Sequence, residues 1–330
     1  MELYEYLIQS YEERLLDQSR EITKEKYSEI KDAYEICLTC LWIEEKFNIL
    51  FGNYLEFEEE LENIYSVLIK ENKNPEEQIC YGREFISKLN RRLANFLSSV
   101  RMYIDQVQHD LSTIDKKIEE DLKLKELFLK ETHIQYDNLV GYQIMEFLRN
   151  KMQHVGLIID SITLIELLLK NDTEFVPIMI EIDYKRLKKM KQFDSKIKKR
   201  KELDEMKTDR INMIWMLRDY VNSLVSIQIK FREITEGIVN KSIDKINKIF
   251  LENYGENLNQ IAMVKVEVEN INNYDGVLVQ KDYLIDLKNK RKKSLNTMEN
   301  KFFINKEAFK CSKHLRGNFV KIDIRYNMTH

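Results

Sequence analysis

The sequence predicts a mostly helical protein, and three observations carry that expectation. Only two prolines, Pro75 and Pro177, and eight glycines occur in 330 residues, too few for the turns of a sandwich or barrel. Glu, Lys, Leu, Ile and Asn recur throughout, a mixture that favours helix. Phe85, Ile86, Leu89, Leu93, Phe96, Leu97, Val100, Ile104, Val107, Leu111 and Ile114 fall at three- and four-residue spacing, one apolar stripe along a long helix.

Residues 3–71 read as helical throughout, with acids gathered at Glu44-Glu45 and between Glu56 and Glu62. Cys37 and Cys40 form a CxxC inside an apolar helical run, and no second thiol or histidine pair lies at zinc spacing, so they read as core cysteines. Asn72-Lys73-Asn74-Pro75 is the first clear break. After the long stripe, helix continues to about Ile134, and Asp137 or Asn138 is expected to cap the helix that follows. Gly156 marks an end or bend before a buried helix over residues 157–170. Its apolar run carries Asp160, Ser161 and Glu166 and is too short and polar to cross a bilayer.

Residues 184–201 hold ten basic residues against the single acid Asp194. This cluster suits an RNA backbone, with Tyr184 and Phe193 open to stack on bases. It also suits a solvated helix or basic linker that pairs with the acidic N-terminal shoulder. Helical periodicity resumes over residues 211–250. Residues 262–269, 276–279 and 319–326 then alternate with β-branched side chains, which predicts short strands in a small terminal hairpin or sheet. The expected regions are 1–81, an N-terminal helical extension; 82–172, a helical core; and 173–330, a basic, mainly helical region.

Several function classes find no residues to carry them. There is no phosphate-binding Gly-rich loop, dinucleotide fingerprint or nucleophile elbow. His109, His133 and His314 lack neighbours at ligand spacing, so neither a metal nor a cofactor is expected. Four cysteines are too few for a disulfide scaffold in a chain of this size, and the N-terminus carries acids where a signal peptide needs bases. A cytoplasmic protein is the expectation. The formal net charge of -3 leaves any affinity for a polyanion to local clustering.

The stretch Arg149-Asn150-Lys151-Met152-Gln153-His154 carries the candidate chemistry. On a helix, Met145, Leu148, Met152, Val155 and Ile159 form the apolar face, while Arg149, Gln153, Glu146, Asn150 and His154 occupy one polar arc of about 140°. Such an arc is often only a solvated face. Its composition, however, suits metal-free RNA cleavage, which needs a proton carrier near neutral pH and a cation for the phosphate. His154 can take the proton of a 2′-hydroxyl or donate one to the leaving 5′-oxygen. Arg149 can hold the scissile phosphate, and Asn150 can orient His154 or contact the RNA backbone. Arg149 and His154 stand at opposite edges of the arc, a geometry suited to a composite site across a twofold axis.

The run Arg-Asn-x-x-x-His-x-Gly resembles the active-site motif of HEPN ribonucleases; its core of arginine, a small polar residue or histidine, three others and histidine is expected by chance about 0.03 times among five histidines. A looser match, Arg325 to His330, has tyrosine after the arginine and lies at the chain end. The resemblance spans roughly residues 82–170, where a long amphipathic helix precedes the motif helix. It implies a helical bundle acting as a homodimeric endoribonuclease, of a family rich in toxins and anti-phage effectors. An antitoxin or defence-system partner would accompany such a role. Since some family members have lost activity, a non-catalytic helical module binding RNA or protein is the alternative, and a helical scaffold the third reading.

Overall fold

Three helices of 42, 41 and 42 residues dominate the chain, as its poverty in glycine and proline requires. The computed structural model describes residues 4–10, 19–65, 75–118, 120–154, 156–159, 161–167, 178–191, 193–205, 210–254, 258–267, 270–293 and 319–325. In order they form β1 (Tyr4–Ser10), β2 (Arg20–Glu21), α1 (Lys24–Tyr65), α2 (Pro75–Asp115), α3 (Leu124–Asn138), α4 (Val140–His154), β3 (Ser161–Leu167) and β4 (Ile178–Asp183). Three short helices follow, α5 (Tyr184–Lys189), α6 (Phe193–Lys196) and α7 (Arg200–Glu205). The remaining elements are β5 (Arg210–Asn212), α8 (Met213–Tyr254), β6 (Gln260–Glu267), β7 (Asn270–Gln280), α9 (Lys281–Lys292) and β8 (Phe319–Arg325). The protein is mostly helical with small antiparallel sheets, as the composition predicts.

Local signals set several boundaries. Thr23 Oγ1 accepts the Lys26 N–H at 3.2 Å and caps α1. Pro75 opens α2, at a position where its missing N–H costs nothing. Asn212 Oδ1 accepts from Ile214 N–H at 3.0 Å and starts α8. The stripe on α2 is buried as expected, apart from a half-buried Ile104.

Two compact units are present, each drawn from three separated stretches: 1–45, 106–127 and 230–294 in the first, 46–105, 128–229 and 295–330 in the second. Their limits do not coincide with divisions along the sequence at 81/82 or 172/173. In the first unit the sheet order is β2-β1-β6-β7, all antiparallel. Arg232 donates to both oxygens of buried Glu44 (2.9 and 2.6 Å) and to the carbonyls of Lys290, Arg291 and Lys293, satisfying the end of α9. In the second unit the order is β5-β4-β3-β8, and Arg218 forks onto Glu58 at 2.9 and 2.7 Å.

Two expectations are corrected here. Residues 4–10 are a strand, not the start of a helix. Seven residues satisfy either period, and β1 pairs along its whole length with β6, from Tyr4↔Glu267 to Ser10↔Ile261. Residues 161–167 are likewise a strand rather than part of a helix over 157–170. The β-branched residues Ile162, Thr163 and Ile165 suit a strand, and β3 pairs with β4 on one side and β8 on the other. Of the strands expected after residue 260, β6 and β7 pair antiparallel as a hairpin that joins β1, while β8 joins β3 in the other sheet. The break at Asn72 to Asn74 lies outside the described residues, as does Pro177.

The motif helix α4 is located by close approach to α8. A Cβ on Gly141 would lie 2.6 Å from Asp219 Oδ2 and 2.8 Å from the Met216 carbonyl oxygen. Asp219 Oδ2 accepts the Gly141 N–H at 3.3 Å, so the carboxylate caps α4 from another helix. Neither Asp137 nor Asn138 caps α4: both belong to α3, and Leu139 is the residue between the two helices. Burial pushes the Asp219 carboxyl above the ordinary aspartate range, with the Gly141 N–H offsetting only part. A carboxyl raised on folding stabilises the fold fully below its unfolded value of about 4 and loses that contribution as pH rises through the folded value. Asp219→Asn removes this dependence. Its unfolding free energy minus that of wild type, from urea titrations, should therefore rise as pH is raised above the unfolded value of about 4; a difference independent of pH would contradict the assignment.

Candidate active site

Tyr142, Glu146 and Arg149 recur at i, i+4 and i+7 and so share the face of α4 toward α8. The Tyr142 and Tyr220 rings meet edge to face, 4.8 Å between centroids at 83°. The Tyr220 hydroxyl donates to Glu146 Oε1 at 2.5 Å. The other carboxylate oxygen, Oε2, accepts from Arg149 Nε at 3.2 Å and stands 3.1 Å from Nη2. One carboxylate thus bridges a tyrosine of α8 and the motif arginine. Burial drives the Tyr142 and Tyr220 hydroxyls well above the tyrosine range, and the Glu146 charge adds to it. Tyr220 therefore remains a protonated donor across the physiological range.

The three predicted site residues share the last two turns of α4. Arg149 is only 12% exposed in its side chain and already engaged by Glu146, rather than standing at the edge of an open arc. Asn150 is half-buried, and its side chain bonds to no described residue. His154 ends the helix, but its side chain, like that of Gln153, lies outside the described residues. The backbone alone separates positions 149 and 154 by about 7.5 Å of axial rise and about 140° of rotation. The helix is also more enclosed than a single stripe implies. Ile144, Phe147 and Gln143 are buried beside Met145 and Leu148, whereas Met152 is half-buried. Ile159 is buried but lies beyond the helix, and Val155 lies outside the described residues.

The chain leaving the motif is fixed by Asn90 of α2, a buried residue with all its side-chain hydrogen-bonding capacity used. Its Oδ1 accepts from Ile158 N–H (3.1 Å) and Ile159 N–H (3.0 Å). Its Nδ2 donates to the carbonyls of Ile159 (2.7 Å) and Ile86 (3.0 Å). Gly156, at φ 118°, makes the turn between helix and clasp, a conformation other residues rarely adopt. Sequence reasoning missed Asn90 and Tyr220. Neither has a local signature, since each meets α4 or its exit through contacts about 70 residues distant. Glu146 was visible on the arc, three residues before Arg149, but its partners were not.

The basic segment lies against the same helix. Phe193 packs edge-on against Phe147 of α4 at 5.4 Å, and Tyr184 against Phe193 at 6.0 Å. Both rings are buried, which corrects the expectation that they are open to stack on RNA bases. Asp105 is exposed and pairs with Arg101 on its own helix, so it acts as a surface acid. Cys37 and Cys40 are buried core thiols, with burial pushing the first far up and the second to about 12. Among the described residues no group of His, Cys, Asp and Glu is arranged to hold a metal, and no helix is long and apolar enough to cross a membrane. Cys311, His314 and His330 lie outside the described residues, as does the Cys80 side chain.

Two measurements test this arrangement. Tyr220→Phe should lower unfolding free energy by about 1 kcal/mol, and Glu146→Ala by about 3 kcal/mol, because it strands a largely buried cation; the reverse order would disprove the bridge. Asn90→Leu leaves two buried backbone groups of Ile159 and the part-buried N–H of Ile158 unpaired and should cost at least about 2 kcal/mol, with faster amide exchange at those residues. Unchanged protection there would remove the clasp. In comparison with known proteins, the chain matches no family model, no curated protein and no solved structure.

Proposed function

We propose that the chain is a metal-independent endoribonuclease of the HEPN type, acting as a homodimer in a toxin or anti-phage role. The observation that carries this reading is the placement of Arg149, Asn150 and His154 on the last two turns of one firmly packed helix, with the guanidinium oriented by Glu146. Orientation by a neighbouring carboxylate lowers the entropic cost of presenting the remaining N–H donors to a phosphate. His154 takes the 2′-hydroxyl proton as that oxygen attacks the adjacent phosphorus, and the P–O5′ bond breaks with the leaving 5′-oxygen taking a proton from water. The products are a 2′,3′-cyclic phosphate and a 5′-hydroxyl. Arg149 stabilises the charge that builds on the phosphate, while Asn150, with no bond to a described residue, is available to the RNA or to His154. The separation of Arg149 and His154 around the helix favours completion of the site by a second copy.

A second reading is a module that binds RNA without cutting it. The enclosure of Arg149 and its engagement by Glu146 favour that alternative, since an incoming phosphate must compete with a carboxylate already in place. Incubation with RNA in EDTA separates the two. Wild type should release fragments ending in cyclic phosphate, with Arg149→Ala and His154→Ala each at least a hundredfold slower. Binding without cleavage under all conditions would replace the first reading with the second, and cleavage retained by His154→Ala would remove that residue's role.

A further inference from the structure

The segment 183–205, which the function above leaves unused, is built into a basic collar on the motif helix. Of its large apolar residues, Tyr184, Leu187, Phe193, Ile197 and Leu203 are buried and Met190 is half-buried. Its backbone is pinned to α3 and α4: Tyr136 Oη donates to the Lys196 carbonyl (2.7 Å), Lys151 Nζ to the Lys191 carbonyl (3.0 Å), and the Lys199 N–H to Gln143 Oε1 (3.0 Å). Lys151 follows Asn150 directly, so one anchor of the collar lies within the motif itself. Ten basic residues face five acids between positions 183 and 205. Lys188, Lys198, Lys199 and Arg200 are spent on Asp204, Asp137, Glu202 and Asp194. Lys189, Lys191, Lys196 and Lys201 are exposed and have no carboxylate partner among the described residues.

We infer that this collar binds the phosphate backbone of RNA beside the motif, an inference that rests on the nuclease reading for the identity of the polyanion. Charge is all the outer face offers. A protein partner would need aromatic or aliphatic anchors to form a desolvated centre, and no large hydrophobic residue is exposed in this segment. A phosphate backbone needs only spaced cations, which the four lysines supply from three successive helices and the turn between the first two. With both aromatic rings buried, recognition is indifferent to base identity.

The test uses full-length His154→Ala, so that cleavage does not intrude, and a short fluorescein-labelled single-stranded RNA of mixed sequence. Neutralising the collar by Lys189→Gln, Lys191→Gln, Lys196→Gln and Lys201→Gln should raise Kd at least tenfold and reduce the slope of log K against log salt by up to about 3. A charge-matched control with Lys24, Lys123, Lys130 and Lys248 changed to Gln should bind as the parent does. Loss shared equally by the control, no loss in the collar variant, or no RNA binding by the parent overturns the collar. So does a collar variant that loses affinity for polyglutamate while keeping it for RNA, which identifies an acidic protein as the partner. Nuclease and collar fail separately. Wild type that binds through the collar but never cuts sinks only the nuclease, and wild type that cuts while the collar variant binds unchanged sinks only the collar.

Discussion

What α4 can present depends on how closely it lies against α8 at Gly141. The missing side chain lets the Asp219 carboxylate and the Met216 carbonyl reach the first turn of the motif helix. One residue beyond Asp219, Tyr220 then lies against Tyr142 and reaches Glu146, which in turn holds Arg149. The arginine's direction is therefore set by a line of contacts that begins two turns earlier in its own helix. A change at the glycine would act on the guanidinium without touching it.

That line has a cost for chemistry as well as a benefit. A carboxylate beside a guanidinium fixes its plane, which a transition-state contact needs, and at the same time neutralises part of its charge. The balance turns on exposure. At 12% of its side-chain surface, Arg149 is neither a free surface cation nor sealed in the core. Tyr220 strengthens the orienting side of this balance, since its hydroxyl occupies one oxygen of Glu146 and leaves the other for the arginine.

Overall charge conceals the character of the surface around α4. A chain with a net charge of -3 concentrates its bases in a segment whose apolar side chains turn inward together. The same burial that removes Tyr184 and Phe193 from the outer face leaves the lysines there. Base stacking and phosphate contact were both open to residues 184–201 as a string of letters. Packing of Phe193 on Phe147 removes the first and leaves the second.

The sequence by itself determined the helical character, the long buried stripe of α2, the core setting of Cys37 and Cys40, the strands after residue 260 and the clustering of Arg149, Asn150 and His154 on one helix. Each follows from a local period or spacing, which a chain carries whatever surrounds it. Tertiary structure alone decided that residues 4–10 and 161–167 are strands. Runs of seven apolar-rich residues satisfy helix and sheet alike, and partners far along the chain, β6 and β8, resolve the choice through backbone hydrogen bonds. It alone brought Tyr220 to Glu146, Asn90 to the turn after the motif and the basic segment to the flank of α4. Those contacts join residues from about 40 to 75 positions apart, and no periodicity within either stretch encodes which distant side chain will meet it.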